Sequence, residues 1–211
     1  MKDLKVTIIQ SPLHWENIEK NLEMFSRKIS SINEGTDIIV LPEMFSTGFT
    51  MKPGTVAEKF SARLDDDCRS GGDGKTMQWM KQKALEKNCV ITGSMVIEDS
   101  LPGEGKGRAY YNRLIWQRPD GTCEYYDKKH LFRYANEQDS YSPGEKKLIV
   151  GLHGWKICPM ICYDLRFPVW CRNKPLLHPP QRGELYAPFP SGSTGPKDSR
   201  KSPIGLFRRD G

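Results

Sequence analysis

The chain has 211 residues, 37% hydrophobic and 27% charged, with a formal net charge of +6 and 6 cysteines. That length suits one sizeable domain, and no stretch approaches the roughly eighteen consecutive apolar residues of a membrane span. Residues 174–211 hold +4 of the charge and leave +2 for the first 173 residues, too little for the basic face of a nucleic-acid binder.

The N-terminus, MKDLKVTIIQSPLHW, has too short an apolar run before Gln10 and Pro12 for a signal peptide and reads as a first strand, so a cytoplasmic location is expected. KVTIIQ (5–10) and TDIIVLP (36–42) are β-branched strand runs, the second continuous enough to be buried on both faces. Between them Ile18, Leu22, Phe25 and Ile29 form the apolar stripe of a helix, with Glu16, Glu19, Lys20 and Lys28 facing away. A second helix over about 75–87 aligns Met77, Met80 and Ala84 as core residues and gives way at Asn88 to the strand CVITGSMVIE. AYYNRLIWQR and TCEYYD, joined by PDG, form a hairpin, and LIVGL with WKICPMI, joined across His153 and Gly154, another. A turn and a short helix follow from Tyr163. The order β-α-β-α followed by several strands predicts an α/β sandwich with a mixed sheet.

After Asn173 the pattern stops. The tail, residues 174–211, holds seven of the fifteen prolines and has too few apolar anchors to offset the entropy of ordering, so it is expected to be a disordered second segment after a domain at 1–173.

Cysteines Cys68, Cys89, Cys123, Cys158, Cys162 and Cys171 lack the density of a disulfide scaffold, and Cys158 with Cys162 has no second pair to complete a zinc site. Thiols, and no metal, are expected. Glu43, Lys128 and Cys162 each follow a strand at its C-terminal end, where α/β sheets bind ligands. A thiol on a strand-to-helix turn is exposed, and backbone N–H groups at the helix start can lower its pKa; this places Cys162 well if the helix begins near Leu165, with Pro168 in its first turn. On position alone, a buried structural cysteine is the commoner outcome.

LPEMFSTGF, YYDKKHLF and ICYDLRFP, in that order, resemble the glutamate, lysine and cysteine motifs of the carbon-nitrogen hydrolase (nitrilase) superfamily. TGS, YNRLIW and YSPGEKKLIV resemble its omega-amidase branch, whose members hydrolyse small amides such as 2-oxoglutaramate and 2-oxosuccinamate. The resemblance covers residues 3–173 and implies Glu43 as general base, Lys128 as the cation that stabilises a tetrahedral intermediate, and Cys162 as nucleophile. It also implies Glu137, in YANEQD, as a fourth member orienting Lys128 or assisting the base; an exposed loop acid is the blander reading. The N–H of Tyr163 would join the oxyanion site, and Arg166 is a candidate partner for a substrate carboxylate, against a surface ion pair. Lys129 would face away from Lys128 on a strand. A Cys–His scheme using His130 is the lesser alternative, since nothing near Cys162 resembles the local motif of that class. No cofactor is implied, and the implied partner is a small amide, with neither nucleic acid nor membrane.

The family's later strand and helix words do not occur after Asn173. The implied fold is therefore an incomplete α-β-β-α sandwich of the carbon-nitrogen hydrolase type with a disordered C-terminal tail, as if a frameshift, an alternative exon or a gene-model error had replaced the end. A family-like homodimer would have to form without contacts from the replaced part. An inactive fragment that binds a full-length partner is the alternative function.

Overall fold

The computed structural model describes residues 2–60, 74–100, 107–172 and 184–189. The β-branched runs form β1 (Val6–Ile8) and β2 (Ile38–Val40), joined by helix α1 (Ile18–Ser30). Asn17 starts α1 by accepting from the Lys20 N–H at 3.0 Å, and Arg27 and Lys28 sit in the last turn, where the helix dipole favours cations. The short β3 (Glu58–Lys59) precedes α2 (Lys75–Lys87), whose start is held by the Glu58 carboxylate accepting from the Thr76 N–H at 2.8 Å. Asn88 ends α2 at φ 48°, the left-handed cap that asparagine tolerates.

Strands β4 (Val90–Ser100), β5 (Arg108–Gln117) and β6 (Cys123–Asp127) complete a sheet of order β1-β2-β4-β5-β6, with β3 also paired to β4. β1, β2 and β4 are parallel and β5 is antiparallel to both neighbours, so β6 runs in the direction of β2 and β4. A smaller sheet contains β7 (Val150–Leu152), β8 (Trp155–Ile161) and β9 (Glu184–Phe189). The β7–β8 hairpin turns at His153 and Gly154, both at positive φ.

Period-two alternation divides the core into two layers. Ile39, Ile91 and Ile115 face outward under Leu22, Phe25 and Ile29 of α1 and Met77, Met80 and Ala84 of α2. Ile38, Val40, Val90, Leu114 and Trp116 face inward onto Val150, Ile157 and Ile161 of the smaller sheet. Each large apolar side chain buried in this way contributes roughly 1.5–3 kcal/mol of transfer free energy. The mixed α/β sandwich expected from the sequence is thus present, as are the double-sided burial of β2 and the span of α2.

Two features differ from the expectations. Cys162–Arg166 form a 3-10 turn directly after β8, and a separate four-residue helix, α3 (Pro168–Cys171), begins at Pro168, so no helix starts near Leu165. Proline fits the first position of α3 because no intrahelical partner is needed there. Within the region expected to be disordered, residues 184–189 form β9, parallel to β8 with Lys156 opposite Glu184 and Ile161 opposite Phe189. Local pattern is not what makes this strand; the edge of β8 supplies the backbone partners, and Pro188 is tolerated because β9 is an edge strand. The remainder of the tail, and Cys68, lie outside the described residues.

Candidate active site

Glu43 follows β2 in a tight turn that the TGS word of β4 holds in place. Leu41 N–H donates to Thr92 O at 2.7 Å, Met44 N–H to Ser94 Oγ at 2.9 Å and Phe45 N–H to Ser94 O at 3.0 Å. Gly93 permits this approach: a Cβ there would press on Leu41 and Phe45 at 2.9 Å. Lys128 directly follows β6, and its backbone is fixed on both sides. Its N–H donates to Asn112 O at 3.0 Å, and its carbonyl accepts from Gly144 N–H at 2.9 Å. Any side chain at Gly144 would run into the Asp127 backbone.

The two loops bring their charged ends together. Lys128 Nζ donates to Glu43 Oε1 at 2.7 Å and to Glu137 Oε2 at 2.8 Å. Asn112 Nδ2 donates to Glu43 Oε1 at 2.8 Å and to Glu137 Oε1 at 3.1 Å, and the Phe132 N–H adds a 2.6 Å bond to Glu137 Oε2. All four side chains are buried, and the Lys128 ammonium also lies 5.1 Å from the centre of the Phe49 ring. Glu137 is a fully enclosed member of this cluster and not an exposed loop acid.

Burial alone would push the Lys128 ammonium down, but the Glu43 and Glu137 carboxylates overcome it and hold the lysine above its ordinary pKa. Lys128 is therefore a fixed cation rather than a base. Burial pushes Glu137 above the ordinary glutamate range; Lys128 opposes the rise and the Glu43 charge adds to it. Tyr141, whose hydroxyl donates to Thr50 O at 2.7 Å, is likewise pushed up by burial and then by Glu137, Glu16 and Glu43.

Cys162 occupies the first position of the turn after β8. It is half-buried against the inner core, with a left-handed φ of 40°. What fastens this turn to the Lys128 loop is Asp164. Its Oδ2 accepts from Tyr126 OH at 2.7 Å and Ile161 N–H at 3.2 Å; its Oδ1 accepts from His130 N–H at 2.9 Å and lies 2.8 Å from His130 Nδ1. The His130 ring stacks on Phe167 at 3.6 Å, so His130 is engaged in holding the turn and does not lie on a strand beside Lys128. Lys129 turns to the Trp170 ring at 5.8 Å, away from the cluster. The Tyr163 ring meets Phe132 at 5.0 Å and Phe167 at 5.4 Å, while Arg166 is exposed at the end of the turn.

Of the residues read from the sequence, Glu43, Lys128 and Glu137 are brought into direct contact, and Cys162, Tyr163 and Arg166 share the adjoining turn. Asn112 and Asp164 were missed as site residues. A signal existed for each: Asn112 has the inward parity of Leu114 and Trp116, an unusual place for an amide, and Asp164 is the acid inside ICYDLRFP. Burial pushes Cys89 up to about 11, and Cys171 is also raised by burial while its Sγ donates to Asp164 O. Among the described residues no His, Cys, Asp and Glu cluster could hold a metal ion, and no helix is long and apolar enough to cross a membrane.

The omega-amidase YafV of Escherichia coli K12 is 40% identical over 173 residues, which are 82% of this chain and 59% of that protein. The 2-oxoglutaramate amidase of Bacillus subtilis 168 is 31% identical over 161 residues, 75% of this chain and 53% of that protein. Among solved structures, XC1258 of Xanthomonas campestris, a CN-hydrolase superfamily protein with an arsenic adduct in its active site, matches with a TM-score of 0.72 at 33% identity, covering 89% of this chain and 65% of that one. The chain thus spans about three fifths of the length of the YafV relative. The Carbon-nitrogen hydrolase family model matches residues 5–174, which takes in the strand ends bearing Glu43, Lys128 and Cys162, and this chain belongs to that family.

Proposed function

We propose that the chain is an amidohydrolase of the omega-amidase type that cleaves the C–N bond of a small amide through a cysteine thioester. The observation that carries this reading is the buried Glu43–Lys128–Glu137 cluster, with Lys128 bonded to both acids at 2.7 and 2.8 Å, beside the turn that presents Cys162. An amide is a poor electrophile with a poor leaving group, so its cleavage needs a thiolate, a site for negative charge and a proton for departing ammonia. Glu43 takes the Cys162 proton as sulfur bonds to the amide carbon. Lys128 and the Tyr163 N–H receive the carbonyl oxygen as it becomes negative. The proton held by Glu43 then passes to nitrogen, the C–N bond breaks and ammonia leaves. Glu43 next deprotonates water, whose oxygen bonds to the thioester carbon and displaces sulfur, and the proton on Glu43 returns to the thiolate as the acid leaves.

The bonding pattern supports different roles for the two acids. Both oxygens of Glu137 accept bonds within the cluster, which suits it to orienting Lys128, whereas the bonds to Lys128 and Asn112 fall on Oε1 of Glu43 and leave its Oε2 for proton transfer. The names of the relatives favour a substrate such as 2-oxoglutaramate or 2-oxosuccinamate, and exposed Arg166 is the proposed partner of its carboxylate. The described cysteines are thiols, which suits the reducing cytoplasm.

The test is ammonia release from 2-oxoglutaramate by the purified chain. Turnover that vanishes in Cys162→Ala and in Glu43→Gln supports the proposal. The 59% coverage of the YafV relative favours a second reading, a non-catalytic fragment that binds a full-length partner. A folded chain with no ammonia release under any condition would select that one.

A further inference from the structure

We propose that Asn112 is a positioning residue of this site: its amide holds both carboxylates around Lys128 and fixes which oxygen of Glu43 is left for proton transfer. The inference rests on the amidohydrolase reading above for its kinetic consequence, and on geometry for the rest.

Asn112 lies in the middle of β5, opposite Val96 of β4, on the inward face shared with Leu114 and Trp116. A leucine would satisfy the packing at such a place; an amide has to be explained by its bonds. Its amide nitrogen, Nδ2, donates one N–H to Glu43 Oε1 at 2.8 Å and the other to Glu137 Oε1 at 3.1 Å, so the two acids are tied through a single planar group. The carbonyl of the same residue receives the Lys128 N–H at 3.0 Å. Asn112 therefore controls the cation through its backbone and the cation's two partners through its side chain.

The charge balance explains the need. Two carboxylates share one ammonium in a buried cluster, leaving one net negative charge that further donors have to stabilise. Neutral donors from Asn112 stabilise both ionised forms without adding a cation that would compete with Lys128. The side chain accepts a cost for this: its Oδ1 is buried without a hydrogen-bond partner. An acceptor left bare while both donors are used marks a group oriented for its donors. Lys128, Glu43 and Glu137 are the charged groups facing Asn112, with Tyr141 the neighbouring ionisable side chain in their field.

Asn112→Ala and Asn112→Ser test this, since the pair differs by one hydroxyl donor. Removing the donors raises the carboxylate pKa, so the acid limb of kcat/KM moves to higher pH in Asn112→Ala by about one unit, a tenfold loss at fixed acidic pH. KM should change less than about threefold, because both amide donors are engaged by Glu43 and Glu137. Asn112→Ser should recover part of the shift. If the alanine variant does not fold, Asn112→Leu fills the volume without a donor and takes its place. An unchanged profile, or an effect confined to KM, overturns the proposal. A second readout needs no turnover: in a 13C carboxyl NMR titration, with Glu43 and Glu137 signals assigned through Glu43→Gln and Glu137→Gln, the midpoints should rise in the alanine variant. If the wild-type chain releases no ammonia, the amidohydrolase reading fails alone, and unmoved NMR midpoints would overturn the role of Asn112 separately.

Discussion

Lys128 shows how strongly one residue constrains its surroundings. Its ammonium is enclosed between two carboxylates, so removing it leaves two buried acids without a cation, a change that typically costs about 3–5 kcal/mol. Lys128→Met should therefore lower the urea-derived stability at neutral pH by that amount and, under the proposed mechanism, abolish ammonia release. The pH dependence follows from the direction of the shift. With its folded pKa raised, Lys128 contributes stability that is fully present below the ordinary lysine value, about 10.4, and is lost as pH rises through the folded value. Glu137 is also raised, so its contribution is fully present below the ordinary glutamate value and is lost as pH rises through its folded value. Urea titrations across pH should show the alkaline loss in the wild type and its absence in Lys128→Met. Residues of this kind were partly legible in the sequence. Glu43, Lys128 and Cys162 stand at strand ends within recognisable words, whereas Asn112 sits in a strand whose aromatic and branched neighbours conceal a polar inward position until the register is known.

Elements were legible where a local signal sufficed. The Met77–Met80–Ala84 stripe and the Asn88 cap define α2 without any tertiary partner. Other parts depend on contacts distant in sequence. The turn after β8 takes its shape from Asp164, whose carboxylate joins Ile161 at the end of β8 to Tyr126 and His130 on either side of Lys128. In Asp164→Asn an amide nitrogen must face at least one of these donors, and each buried donor left unsatisfied costs about 1–3 kcal/mol. We expect a lower Tm, slower alkylation of Cys162 by iodoacetamide, and a reduced kcat in whatever fraction remains folded. Wild-type alkylation kinetics in this variant would mean that the turn does not need the clamp. The left-handed backbone at Cys162 is the other feature no sequence word announces, because a non-glycine residue at φ 40° is held there by the structure around it.

At the scale of the whole molecule, the smaller sheet takes in residues of the proline-rich tail. β9 covers one edge of β8, the strand that leads into Cys162. A chain ending at Arg172 should consequently show a lower apparent Tm and concentration-dependent association, as an open strand edge invites pairing with another molecule. Equal Tm values and a monodisperse truncated chain would argue that β9 adds nothing. The register of β9 was hidden because β8 imposes it from outside the segment, and a proline-rich stretch carries no alternation of its own. The two layers also divide the reactive parts: acid and amine ride on loops of the large sheet, while sulfur rides on the small one. Under the proposed mechanism, a sideways slip of one layer over the other by a fraction of a side chain would leave every strand intact yet part the Cys162 thiol from Glu43, so on warming ammonia release would fall silent before any spectroscopic sign of melting.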